Sequence, residues 1–275
     1  MTVPAGAALR EKRAVSPSAE GMLSAMSAAF DEFTDAYEAM IDWKARLARE
    51  EPFYRYAVNL AQARKVLDTA CGTGHHAAMF HSWGLRVEAA DRSAAMIRRC
   101  RRLHGSPRDL RWVVRSFDRP VDAPGTFDLA ICVGNSLALA PDRRTVARAI
   151  RMMLAAVRPG GWIVVHVLNL WRLPDGPAVW QKCRRVSLDG RDSIIVKGVH
   201  RAGRTGYVNM IVATLEANAP QMRHESTALL GLEAGELKDM AASAGASIVR
   251  FFGDYQKHPY RRRTSEDMIM LARRG

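Results

Sequence analysis

The sequence predicts an α/β protein in which a parallel sheet of seven strand-like segments is preceded by a helical cap and interrupted by a small antiparallel sheet. Three observations lead there. Short apolar runs alternate with helical stretches from residue 65 to residue 168, the pattern of right-handed βαβ units. Before that region apolar residues recur at helical spacing, at Met22, Met26, Phe30, Phe33, Tyr37, Met40, Ile41 and Leu47. Between Gln181 and Thr227 helical punctuation disappears, and β-prone runs are broken by Asp189-Gly190, Gly203 and Pro220; Asp-Gly between such runs signals a hairpin.

The elements follow in order. Residues 1–20 mix Ala, Gly, Pro, Ser and charge and are expected to be a flexible tail. The cap, 21–62, divides into helices over 22–34, 35–48 and 52–62, with Pro52 opening the last. The first strand, 65–70, runs into the turn Cys71-Gly72-Thr73-Gly74. A helix and a second strand, 85–91, come next, then a helix over 93–103 and strands over 110–115 and 127–133. A helix over 143–157 and the turn Pro159-Gly160-Gly161 lead to a fifth strand, 162–168. The insertion, 171–229, carries β segments near 181–188, 192–201, 205–218 and 221–229. A helix over 232–244 and strands over 247–252 and 267–272 close the core, which therefore spans 63–170 and 230–275.

Composition narrows the partners. The 275 residues are 48% hydrophobic and 25% charged, ordinary for a globular chain that can bury a sizeable core. No apolar run reaches the roughly 18 residues that span a bilayer, and residues 1–20 lack the apolar block of a signal peptide. A cytoplasmic protein without a membrane partner is expected. The 34 Arg and 7 Lys exceed 28 acidic residues, a net charge of +13, which raises nucleic-acid binding. The arginines are scattered, however, clustering only at Arg98, Arg99, Arg101, Arg102 and at Arg261, Arg262, Arg263, so nucleic acid is not the expected partner. Cys71, Cys100, Cys132 and Cys183 show no CxxC or paired-His spacing, and no metal site is expected.

The turn at 71–74 carries most of the functional information. A strand running into Gly-x-Gly lets a ligand approach the backbone where a Cβ would collide, and ligands of open α/β sheets bind at the carboxyl ends of the strands. The strand that follows this turn and its helix ends in Asp91, where an acid accepts hydrogen bonds from ribose hydroxyls. His76 and Ala77 stand where a dinucleotide fold has its last glycine, and there is no phosphate-loop Gly-Lys-Ser ending. A nucleoside without phosphate fits better.

On these residues, the stretch 65–168 resembles the class I methyltransferase fold, a Rossmann-like seven-stranded sheet that binds S-adenosyl-L-methionine. Asp68-x-x-Cys71-Gly72-Thr73-Gly74 matches its first motif and Asp91 its ribose-binding acid. The resemblance implies that Ala70, Gly72 and Gly74 pack on the methionine portion, that Arg92 and Met96 flank the adenine, and that Ser116 and Phe117 lie at its edge. Cys132-Val133-Gly134-Asn135-Ser136, with Trp43-x-x-Arg46 upstream and Gly253-Asp254-Tyr255 to Pro259-Tyr260 downstream, resembles glycine and sarcosine N-methyltransferases. That likeness adds Trp43, Arg46 and Val133 to the cofactor site. It also implies that Arg46 meets the cofactor carboxylate through charge-assisted hydrogen bonds.

Two departures bear on the acceptor. Leu168-Asn169 stands where glycine binders of that family have Arg-Asn, and Leu139 where they have His. A buried carboxylate without its cation costs several kcal/mol, so glycine is not the expected acceptor; Arg172, Lys182 or the 261–263 cluster are alternative anion clamps. Catalytic candidates are Tyr37, Tyr255 and Tyr260, whose phenols would orient a polar acceptor, with Asn135 and Asn169 at the sheet's carboxyl edge. His166, His200, His224 and His258 lack an acid or metal partner at diagnostic spacing, and no general base is assigned. The expectation is a small-molecule methyltransferase acting at nitrogen, with O- or C-methylation, an RNA methyltransferase or a non-enzymatic binding protein as alternatives and a homo-oligomer left open.

Overall fold

The computed structural model describes residues 34–188, 190–215 and 220–275. The expected tail over 1–20 and, save for its last residue, the cap helix over 22–34 lie outside them. The described chain begins with α1 (Thr34–Met40) and α2 (Trp43–Ala61), followed by β1 (Lys65–Asp68), α3 (His75–Ser82), β2 (Arg86–Asp91), α4 (Ala94–His104), β3 (Leu110–Val114) and β4 (Phe127–Cys132). A short turn of helix, Ser136–Leu139, leads to α5 (Arg143–Ala156) and β5 (Val157–Leu168). The insertion supplies β6 (Val179–Leu188), β7 (Arg191–Ala202), β8 (Thr205–Thr214) and β9 (Gln221–Leu230). The chain closes with α6 (Ala234–Ser243), β10 (Ala246–Phe252) and β11 (Asp267–Arg274).

Seven strands form the main sheet in the order β10-β11-β5-β4-β1-β2-β3, while β6-β7-β8-β9 form a separate antiparallel sheet. The order reverses at β1, so the carboxyl ends of β1, β2 and β4 open a crevice there. One strand departs from the all-parallel expectation: β11 runs antiparallel to both β10 and β5. Parallel neighbours need a crossover, usually a helix, and 253–266 holds no helix, so the chain doubles back. Both sheet faces are covered. One apolar core gathers Val146, Ile150 and Leu154 of α5 with Leu237 of α6, and the other gathers Phe53, Tyr54, Phe80 and Ile97 from α2, α3 and α4.

The cap also differs from expectation. Pro52 does not open a helix but sits inside α2, which begins after Asp42, whose carboxylate caps the helix by accepting from Ala45 N–H at 3.0 Å. An internal proline forfeits one helical hydrogen bond, about 3 kcal/mol. Glu50, Phe53, Tyr54, Ala57 and Ala61 are buried along one stripe on both sides of it, and their burial offsets that cost.

Candidate active site

The crevice is shaped by backbone conformation at the glycine turn. Gly72 has φ +53°, and a Cβ there would project into open space; Gly74 has φ +84°, and a Cβ there would strike the Trp112 ring at 2.7 Å. One glycine therefore leaves room for a ligand, and the other lets α3 start close against β3. Asp91 closes the far side. Its Oδ2 accepts from Gly72 N–H at 2.9 Å and its Oδ1 from Ser93 N–H at 2.9 Å, which ties the end of β2 to the turn after β1. Asp68 is buried behind them. Its Oδ1 accepts from Ala70 N–H, its Oδ2 has no protein partner, and burial, reinforced by Asp91, raises its carboxyl to about 7.

Helices α1 and α2 close the crevice from above. The Glu38 carboxylate accepts from Thr73 Oγ1 at 2.5 Å and from Trp43 Nε1 at 3.0 Å, and meets His75 Nε2 at 3.1 Å. One side chain thus latches the cap to the glycine turn. Burial opposes its charge, but the bonds from His75 and Thr73 outweigh that and hold its carboxyl below the usual range. Deeper in, Glu50 is 1% exposed and accepts from Arg46 Nε at 2.9 Å and pairs with His76 Nε2 at 2.7 Å. Burial again works against the carboxylate, yet His76 and Arg46 lower it to about 2. His76 itself is pushed down by burial, with Glu50 opposing.

A second cavity lies beneath the antiparallel sheet, lined by Tyr37, Met40 and Ile41 from the cap side, by Gly134, Asn135 and Leu139 after β4, and by side chains of β6 to β9. Tyr37, Gly134 and Leu139 line both cavities. The turn between them is held from behind: Gly134 N–H donates to His166 Nδ1 at 3.2 Å, and His166 Nε2 lies 3.0 Å from Asp267 Oδ1. A ring that accepts at Nδ1 carries its proton at Nε2 and donates it to Asp267.

Residues 66–161 match the family model for a methyltransferase domain. Over 235 residues the chain is 27% identical to a glycine/sarcosine N-methyltransferase of Parasynechococcus marenigrum, an alignment covering 82% of this chain and 78% of that protein. The chain is a class I S-adenosyl-L-methionine-dependent methyltransferase. Its fold is shared by the amino pentose methyltransferase CalS10 of Micromonospora echinaspora, solved with S-adenosylmethionine bound, at TM-score 0.66 and 19% identity over 96% of this chain and 100% of that one. The sugar N-methyltransferase KedS8 of Streptoalloteichus superposes at TM-score 0.64 with 20% identity, covering 99% of each chain.

The crevice of this methyltransferase fits its cofactor in two respects: the open side of Gly72 and the carboxylate of Asp91 at the end of β2. Of the residues expected at the cofactor, Trp43, Arg46, Ala70, Gly72, Asp91, Arg92, Met96, Phe117 and Val133 line the crevice. Two do not. Gly74 is turned toward Trp112, as above, and Ser116 lines a separate small pocket, donating its hydroxyl proton to Asp118 at 2.6 Å. Thr69, His76 and Ser93 also line the crevice and carry no sequence signature of a binding role; Cys71, Thr73 and Ser136, which line it too, stand inside the quoted motifs without an assigned role.

The acceptor-side expectations divide. Tyr37 and Asn135 line the second cavity. Tyr255 does not; it is 3% exposed and packs edge-on against Phe53 in the core. Asn169 is spent on structure, its Nδ2 donating to the carbonyls of Arg262 and Ser265 and its Oδ1 accepting from Trp171 N–H and from the Tyr260 hydroxyl. Asn169 and Tyr260 thus pin the loop before β11 to the end of β5, and neither lines the crevice or the second cavity. Leu168 packs against the core instead of facing either cavity. Among the suggested anion clamps, Lys182 lines the second cavity, whereas Arg172 faces Glu266 and Arg262 pairs with Glu233. Of the four histidines weighed as bases, two have acid partners, Asp267 for His166 and Asp254 for His258. Folding brings the first pair together across neighbouring strands, a spacing that sequence does not display.

Proposed function

We propose that this methyltransferase methylates a nitrogen atom of a small molecule other than glycine, held in the cavity between α1 and the antiparallel sheet. One observation carries the reading: the cofactor crevice and that cavity abut, sharing Tyr37, Gly134 and Leu139. S-adenosylmethionine, when bound, supplies a methyl group on a positively charged sulfur. Trp43, Arg46, Ala70, Gly72, Asp91, Arg92, Met96, Phe117 and Val133 would hold it, with Asp91 accepting from the ribose hydroxyls and Arg46 facing the carboxylate. Tyr37 and the Gly134-Asn135 turn then define where the acceptor atom sits. An amine need only arrive neutral and aligned, so positioning in a water-poor site supplies most of the rate. The cap contributes by covering the crevice through the Glu38 latch.

Glycine is disfavoured because Leu168 offers no cation. Nucleic acid is disfavoured because the arginines are scattered and several are paired within the fold, Arg111 with Glu88 and Asp122, Arg148 with Asp118 and Arg158 with Asp128. The test is to incubate the chain with S-adenosylmethionine and a panel of primary amines, amino sugars, phenols and glycine, and to read products by mass spectrometry. N-methylated amines without methylated glycine support the reading. Methylated phenols alone, or sarcosine from glycine, overturn it.

A further inference from the structure

The second cavity holds a charge arrangement that methyl donation does not use. Strand register places Lys182 opposite Lys197, Lys197 opposite Met210 and Met210 opposite Glu225, and all four line the cavity. They form one rung across the antiparallel sheet, with two ammonium groups on β6 and β7 and a carboxylate on β9. The rung depends on a break in register. Trp180 opposes Gly198, and the next pair is Lys182 with Lys197, leaving Gln181 as an extra residue. Such bulges re-aim side chains beside functional sites; with regular pairing Gln181, not Lys182, would stand opposite Lys197.

Like charges directly opposed across strands destabilise a sheet, so this pairing has a cost that packing does not explain. Burial, then the neighbouring cations Lys182 and Arg46, push the Lys197 ammonium below its ordinary value, with no anion set against them among the described residues. Glu225 stands two strands away, roughly 10 Å by strand spacing, and accepts from Thr227 Oγ1 at 3.3 Å. An oxyanion placed between the two lysines would satisfy both ammonium groups at once. The net charge of +13 would also favour approach of an anion.

We propose that Lys182 and Lys197 bind a carboxylate or phosphate carried by the methyl acceptor, so that the acceptor is a small acidic amine. This rests on the reading of the second cavity as the acceptor site, and moves anion recognition from the end of β5, where Leu168 is apolar, to the inserted sheet. The anion sits at the sheet and the reacting nitrogen at the constriction formed by Tyr37, Gly134 and Leu139.

The experiment uses the full chain saturated with S-adenosylhomocysteine and three matched probes, benzylamine, 4-(aminomethyl)benzoate and 4-(aminomethyl)phenylphosphonate, titrated by calorimetry. One or both anionic probes should bind about tenfold or more tighter than benzylamine, the scale of a lost hydrogen bond to a charged group. Which of the two binds better tells carboxylate from phosphate. The double variant Lys182→Met/Lys197→Met should lose that preference while keeping wild-type affinity for S-adenosylhomocysteine, and Lys182→Arg/Lys197→Arg should retain it. Equal binding of all three probes, binding of none, or a preference that survives the methionine pair overturns the proposal. Anionic probes that bind through the lysines but receive no methyl from S-adenosylmethionine leave the anion site standing and count against nitrogen methylation instead.

Discussion

Replacing Glu50 with Gln tests the buried ionic cluster behind the crevice, whose lining includes its partners Arg46 and His76. Glu50 is nearly inaccessible and holds Arg46 and His76 through bonds of 2.9 and 2.7 Å. Gln has the same shape, so Glu50→Gln removes charge with little change in packing. Taking one partner from a buried pair costs about 3–5 kcal/mol. The depression of the carboxyl from 4.5 to about 2 gives an independent figure of about 3 kcal/mol. Because the folded value is depressed, the stabilisation is fully present above the unfolded value of 4.5 and is lost as pH falls through about 2. Denaturant unfolding at pH 7 should place Glu50→Gln about 3 kcal/mol below wild type, and the gap should shrink by about half between pH 5 and pH 3. A gap under about 0.5 kcal/mol at pH 7, within ordinary surface-substitution scatter, or one unchanged at pH 3, would refute the assignment of a charged Glu50 between Arg46 and His76.

Three other perturbations separate the parts of the site. Asp91→Ala removes the acceptor for Gly72 N–H and Ser93 N–H together with the expected ribose contacts, so cofactor affinity measured by calorimetry should fall about 100-fold or more; an unchanged dissociation constant would contradict the assignment. Gly74→Ala forces a Cβ against Trp112 from a backbone with φ +84°, and should lower unfolding free energy by about 2–4 kcal/mol; a loss under about 1 kcal/mol would mean that α3 and β3 yield easily. Glu38→Ala releases Thr73, Trp43 and His75, so amide exchange in α1 should quicken at pH 7. Since the Glu38 carboxyl is depressed in the fold, acidification below its unfolded value of 4.5 should lower the protection factors of α1 in the wild type in the same way, and pH-independent protection factors would count against the latch.

The crevice at the glycine turn was legible in sequence because its geometry is local. Strand β1, the turn at 71–74 and Asp91 belong to a single strand–helix–strand unit, and each position demands a residue type: an open αL glycine, a chain reversal, a carboxylate at a strand end. Gly74 shows the limit of that logic. A required glycine looks the same in sequence whether a ligand or a tryptophan occupies the missing Cβ volume, and here it is Trp112, two strands further along the chain. The cap failed at Pro52 for a related reason. Local propensity says that a helix starts at proline, whereas the buried stripe from Glu50 to Ala61 carries α2 through it and leaves the start to Asp42.

The second cavity was less legible because pairing register, not residue order, decides which side chains meet. Asn169, Tyr255 and Tyr260 sit in motifs beside the site, yet Asn169 and Tyr260 are consumed in joining β5 to the loop before β11, and the Tyr255 ring in packing the core. Conversely, Lys197 and Glu225 lie in separate β-prone runs with no motif around them, and only the alternation of β7, β8 and β9 puts them in one rung. A single extra residue, Gln181, decides whether a lysine or a glutamine stands opposite Lys197. Two deletions therefore isolate the register. Removing Gln181 takes out the bulge but leaves Lys182 next after Trp180, still opposite Lys197, so the preference for anionic probes should persist. Removing Lys182 instead leaves Gln181 in that place, with everything from Cys183 onward paired as before, and the preference should vanish. If it were lost in the first variant or kept in the second, the opposed lysines would not be what recognises the anion, and the argument from their paired charges would fail with it.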